Sequence, residues 1–185
     1  SEIPARVFNP THVNRSKALF DEAVALAAKG CYIDLTAFPV EDGEDAWSAA
    51  EGLQRYLASG APADRVTISS DAGGCLPCFD AEGRVSSMDV GHSGALLETL
   101  RALADGGMSL ETALPAFTAN PARLLRLAGK GRVEAGADAD LVALDATGAA
   151  QTVIIGGHIH VRDGQAVRRG TFENRQEQHV AEYRP

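Results

Sequence analysis

Arg65-Val66-Thr67-Ile68-Ser69-Ser70-Asp71-Ala72 is a short apolar strand that ends on a carboxylate. An earlier segment, Pro10-Thr11-His12-Val13-Asn14-Arg15, ends the stretch 5–12 on an imidazole in the same way. Between them, residues 31–38 form a second strand, almost continuously apolar apart from Asp34 and Thr36, as suits a sheet covered on both faces. Helical spacing fills the gaps. Leu19, Phe20, Ala23, Val24, Ala27 and Ala28 follow Ser16 as a plausible N-cap and stop at Gly30. Trp47, Ala50, Leu53 and Leu57 mark a second helix, ended near Gly60. Strand, helix, strand, helix, strand in this order predicts an α/β fold with parallel pairing through helical crossovers.

Three parallel strands do not close a barrel, which needs eight and roughly 250 residues. The first strand would then present an apolar edge, an aggregation hazard if left open. The expectation for this chain of 185 residues is therefore the back part of a longer protein, with an open sheet as the other possibility.

Beyond Asp71 a stretch rich in Gly, Pro and Asp, to about residue 93, reads as loop. Leu96, Leu97, Leu100 and Leu103 predict a helix that stops at Asp105-Gly106-Gly107. Ser109 caps a short helix through Phe117, and Asn120 as N-cap with Pro121 opens another through Leu127. From Gly129 onward, short β-rich runs alternate with Gly and Asp turns. The expected organisation is an α/β part at 1–128, a small β segment at 129–173 and a polar tail at 174–185.

The net charge of −8 argues against nucleic acid and anionic membrane as partners, since both call for basic surface. An apolar content of 45% with 23% charged residues is that of a globular chain. No apolar run is long enough to span a bilayer, and the start lacks a secretion-signal pattern. Three cysteines, an odd number, do not make a disulfide framework, so a reducing, cytoplasmic setting is expected.

A histidine and an aspartate at the carboxyl ends of separate parallel strands are what a barrel metallohydrolase uses. Each also has a plain reading: His12 as a structural imidazole, Asp71 as a turn cap, Arg15 as a solvated residue at a helix start. Cys75-Leu76-Pro77-Cys78 has redox or zinc spacing but reads as a pair of ordinary loop cysteines. His158 and His160 would share one face of a strand, yet they read as a surface strand of the β segment rather than a physiological metal site. His92 and His179 have no partner pattern. Trp47 reads as core-facing, and the acidic run 41–45 as a solvated helix N-terminus.

Thr118-Ala119-Asn120-Pro121-Ala122-Arg123-Leu124-Leu125 and the run 131–142 (GRVEAGADADLV) resemble the end of the amidohydrolase superfamily, where the last barrel helix leads into a small β-sandwich. The segments 10–15, 30–36 and 69–71, with Leu76-Pro77, Phe79-Asp80 and Gly170-Thr171-Phe172-Glu173, resemble the isoaspartyl (β-aspartyl) dipeptidases within it. The similarity runs over about residues 3–173 and corresponds to the C-terminal part of that family, about strands six to eight of a (β/α)8 barrel plus a sandwich segment. The resemblance implies zinc-dependent hydrolysis of β-aspartyl dipeptides at a two-zinc centre, and a homo-oligomer when intact. His12 would ligate one zinc. Asp71 would touch the other, take a proton from the attacking water and pass it to the leaving amine. Arg15 would clamp a substrate carboxylate. Cys75 stands where the family usually has a serine, and the backbone amides of Gly73 and Gly74 would serve the substrate instead. The family's other metal ligands lie on earlier strands, so this chain alone is expected to be inactive without the N-terminal part of the barrel. Alternatives are another amidohydrolase, an N-acyl-amino-acid deacylase or dihydroorotase-like enzyme, or a non-catalytic amidohydrolase-like assembly module.

Overall fold

The computed structural model describes residues 3–79 and 82–170. The polar tail with His179, and Asp80, lie outside the described residues. Two compact units divide at Ala137 and Asp138.

In the first unit, β1 (Ile33–Thr36) and β2 (Val66–Ser69) pair in parallel, with Asp34 opposite Thr67 and Thr36 opposite Ser69. Successive side chains of a strand point to opposite faces. One face therefore carries Ile33, Leu35, Val66 and Ile68, all buried. The other carries Asp34, Thr36, Thr67 and Ser69, so the sheet is covered on both sides but polar on one. Helices α1 (Lys17–Ala27) and α2 (Ala49–Ala58) bury Phe20, Ala23, Ala27, Leu53 and Tyr56. Gly52 lets α2 approach closely: a Cβ there would stand 3.3 Å from the Leu35 Cδ1 atom. A capping box between Ser48 and Glu51 starts α2.

The strand expected at 5–12 is only partly formed. Ala5–Val7 is a 3₁₀ turn, and among the described residues no ladder strand precedes β1. Yet the amides of Tyr32 and Asp34 donate to the carbonyls of Phe8 and Pro10 at 3.1 and 2.9 Å, the alternate-residue spacing of a parallel pair. Pro10 has no N–H to return, which limits the pairing at that point.

The stretch read as a loop contains an antiparallel hairpin of β3 (Cys75–Phe79) and β4 (Val85–Val90). It was illegible because β4 is exposed throughout and carries no apolar alternation. Pro77 is tolerated because a strand in a two-stranded ribbon has a free edge. Helices α3 (Ala95–Asp105), α4 (Leu110–Ala113) and α5 (Ala119–Leu124) follow, the second capped by the Ser109 hydroxyl as expected. Helix α5 begins one residue before Asn120, after Thr118, and ends at Leu124 rather than Leu127. Asn120 is not a cap. Its buried carboxamide donates to the carbonyls of Ala63 and Val66, both at 2.8 Å, tying α5 to the start of β2.

The acidic run 41–45 lies in a turn ahead of α2 rather than at its N-terminus. Trp47 is only half-buried, with the Lys17 ammonium and the Arg55 guanidinium 4.6 and 3.5 Å from its ring centroid. Both contacts are cation–π interactions, which favour a ring left within reach of its charges over one sunk in a core.

The second unit is a four-stranded antiparallel sheet, β5 (Leu141–Leu144), β6 (Ala150–Ile155), β7 (His158–Arg162) and β8 (Gln165–Ala166), in sequential order. Among the described residues no helix is long and apolar enough to cross a membrane.

Candidate active site

The polar face of the parallel pair gathers Asp34, Thr36, Thr67 and Ser69, with His12 beside it. Asp34 is buried. Its Oδ1 accepts a hydrogen bond from the Thr67 hydroxyl at 2.6 Å, and its Oδ2 one from the Ser69 hydroxyl at 2.5 Å. Further along the same face, Thr36 Oγ1 lies 2.9 Å from His12 Nδ1. Burial pushes the Asp34 carboxyl above its ordinary value; the two hydroxyl donors and His12 pull it back, and Asp71 pushes it up. The charges of His12 and Asp71, both singled out in the sequence, thus act on Asp34 in opposite senses.

That raised carboxyl makes a testable statement. A carboxyl whose folded pKa is raised contributes stability that is present below its unfolded value and lost as pH rises through the folded one. Asp34→Asn keeps an acceptor for one hydroxyl and a donor toward the other, and removes the buried charge. The variant is expected to be more stable than the native chain at neutral pH, with the gap closing below about pH 4. Urea titrations at both pH values check this; a gap that does not narrow on acidification refutes it.

His12 and Asp71 both have left-handed backbone, φ 57° and 47°. Non-glycine residues held there carry strain of order 1 kcal/mol or more, which the surroundings must over-determine. For His12 the surroundings are Asn14. This residue is fully buried, and its Nδ2 donates to the carbonyls of Thr36 and Trp47 at 3.0 and 2.8 Å. Its Oδ1 accepts from the Thr36 amide at 2.8 Å. For Asp71 the surroundings are glycines. A Cβ on Gly74 would stand 2.7 Å from the Asp71 carboxylate, and one on Gly91 would stand 2.4 Å from the Asp71 carbonyl oxygen. Both glycines are needed for the base of the hairpin to close against the aspartate.

That closure corrects one expectation. The Gly73 amide donates to the Gly91 carbonyl and the Gly74 amide to the Asp71 carbonyl, both at 2.8 Å. These two donors are spent on the turn and are not available to a substrate. Cys75 is exposed and opens β3 opposite Val90. Arg15 is exposed, with its guanidinium 4.9 Å from the centroid of the Phe38 ring, just past the end of β1. A cavity of about 300 Å³ shares Phe38 and Gly91 with this rim and is walled by Leu76, Val90 and Ala95. His158 and His160 lie on β7 in the second unit.

The donor set accommodates a divalent metal only in part. With Nδ1 of His12 engaged by Thr36, Nε2 is the nitrogen left to coordinate. Both Asp34 oxygens are committed to hydroxyls, so Asp34 is not a ligand. His12 and Asp71 fit as two donors. Among the described residues no group of three or more His, Cys, Asp or Glu is arranged to hold an ion. Asn14 and Thr36 are the neighbours of His12 to which sequence reading gave no role. The available signal was Asp34 and Thr36, two polar breaks in an otherwise apolar strand.

The amidohydrolase family profile matches residues 5–160. The chain belongs to the amidohydrolase family. Among solved structures, this family member is similar to the β-aspartyl dipeptidase of the thermophilic, keratin-degrading Fervidobacterium islandicum in complex with a β-Asp-Leu dipeptide. The match is at 35% identity and TM-score 0.82, over 94% of this chain and 44% of that one. A second structure of the Fervidobacterium islandicum dipeptidase matches at 31% identity and TM-score 0.76, over 94% and 42%. The amidohydrolase chain therefore spans less than half the length of these relatives. N-acetylglucosamine-6-phosphate deacetylase from Pasteurella multocida, at 14% identity and TM-score 0.54 over 83% of this chain and 50% of that one, shares the fold.

Proposed function

We propose that this chain is the C-terminal part of a metal-dependent hydrolase of β-aspartyl dipeptides, comprising about strands six to eight of a (β/α)8 barrel and a segment of the β-sandwich. The observation that supports the reading is His12, bonded through Nδ1 to Thr36 at the end of β1, and Asp71 following the end of β2, in a chain 35% identical to a β-aspartyl dipeptidase. Exposed apolar side chains support the reading that further barrel covers this unit: Val7 and Phe8 beside the open edge, and Leu19 on α1. In the second unit, Val142 and Ile155 are likewise exposed, as in half of a sandwich. The odd cysteine count supports a cytoplasmic setting.

In this reading His12 and Asp71 supply two ligands of a divalent, two-zinc centre, and the rest of the barrel supplies the others. When bound, the metal polarises the scissile carbonyl and lowers the pKa of water. Asp71 takes the proton of the attacking water at its carboxylate and delivers it to the leaving amine nitrogen. Arg15 holds a substrate carboxylate in a two-pronged contact, its guanidinium steadied on Phe38. Cys75, at the mouth of the hairpin, flanks the substrate. The chain by itself does not turn over.

The test is β-Asp-Leu hydrolysis by a protein that carries the remaining barrel strands, with metal content measured on the same sample. Release of aspartate with about two zinc ions per site upholds the proposal. Turnover of N-acyl amino acids lacking a free α-amino group, without β-Asp-Leu turnover, makes it a deacylase instead. A folded protein with neither metal nor turnover leaves a non-catalytic module.

A further inference from the structure

We propose that Thr36 is the positioning residue for His12, and that its hydroxyl sets which imidazole nitrogen faces the metal. The inference rests on the reading of His12 as a metal ligand and adds a residue to it. Three observations converge. Thr36 is fully buried, at the end of β1, with Oγ1 2.9 Å from His12 Nδ1. Both of its backbone groups are held by one side chain, Asn14, which follows His12 by two residues. The His12 backbone is left-handed, so its ring has no help from regular secondary structure to fix its direction.

The network is closed. The segment 12–14 grips Thr36 through Asn14, and Thr36 grips the imidazole of the same segment. A ring rotation about Cβ–Cγ would break the hydroxyl contact and leave a buried hydroxyl without its partner, a costly state. With Nδ1–H donating to Oγ1, the lone pair of Nε2 would be the one left free for a metal. A hydroxyl both donates and accepts, so Thr36 stays bonded to His12 with the metal absent, by donating to an unprotonated Nδ1. A carboxylate in its place would hold only one of these states, and a methyl neither. Serine retains the function; valine, of the same shape, loses it.

The experiment is zinc affinity, measured by chelator competition, in the zinc-loaded protein that carries the remaining barrel, for the native form, Thr36→Val and Thr36→Ser. Thr36→Val is expected to weaken zinc binding roughly ten- to a hundredfold and Thr36→Ser to stay within about threefold of native. Should the valine variant not fold, Thr36→Ala replaces it, with the serine variant still the control. Native affinity in Thr36→Val overturns the proposal. Equal losses in the valine and serine variants also overturn it, because the methyl rather than the hydroxyl then matters. His12→Ala separates the two claims: unchanged affinity in that variant sinks the reading of His12 as a ligand, whatever Thr36 does.

Discussion

Asp71→Asn, in a protein that carries the complete barrel, is expected to lower kcat for β-Asp-Leu by roughly a thousandfold, within the 10²- to 10⁴-fold worth of a positioned proton carrier. The amide keeps the size of the side chain and its place against Gly74, so the turn that fits the native carboxylate still closes. What is lost is the ability to accept a proton from water and hand it to the leaving amine. Folding is expected to change little, because the Asp71 side chain is only half-buried and the turn is held by backbone bonds among Asp71, Gly73, Gly74 and Gly91. Turnover by initial rates and stability by thermal melting, run on one preparation, check both halves. A variant that keeps more than about a tenth of the native kcat removes Asp71 from the chemistry.

Asn14→Leu is expected to destabilise the fold by on the order of 4 kcal/mol. Leucine has the same number and branching of side-chain heavy atoms and is the bulkier residue, so no cavity forms. The Thr36 amide loses its acceptor and the Thr36 carbonyl a donor, both buried, and the part-buried Trp47 carbonyl also loses a donor. Asn120→Leu removes two donations to carbonyls and strands no amide, so its loss is expected to be smaller. Urea midpoints of the two variants give the order directly. A loss under about 1 kcal/mol for Asn14→Leu would mean that the lock on Thr36 is not what holds the strand ends.

The elements legible in the sequence were those with a strong local pattern. Helices α1, α2 and α3 follow apolar spacing, and Ser109 caps where a serine ahead of a helix should. The strands at 33–36 and 66–69 lie within apolar runs bounded by turn residues. The hairpin after Asp71 was not legible, because its second strand faces solvent along its whole length and owes its pairing to the partner strand alone. Asn120 misled for a related reason: a carboxamide next to Pro121 is a good cap by local rules, but two buried carbonyls from elsewhere in the fold claim it.

His12, Asp71 and Arg15 were singled out by residue type and by their place at strand ends, which the chain order determines. Periodicity also determined the α/β character of the first unit and the all-β character of the second. The tertiary structure alone decided what surrounds those residues. It gave Asp34 its two hydroxyl donors, set Thr36 against the His12 ring, spent the amides of Gly73 and Gly74 on the turn and gave Asn14 its three bonds. These are contacts between residues twenty or more positions apart, or choices among rival partners for one donor. Local sequence preferences constrain a residue's backbone and its exposure. Which buried donor meets which acceptor depends on parallel register and on the space left by glycines, and both exist only once the chain is folded.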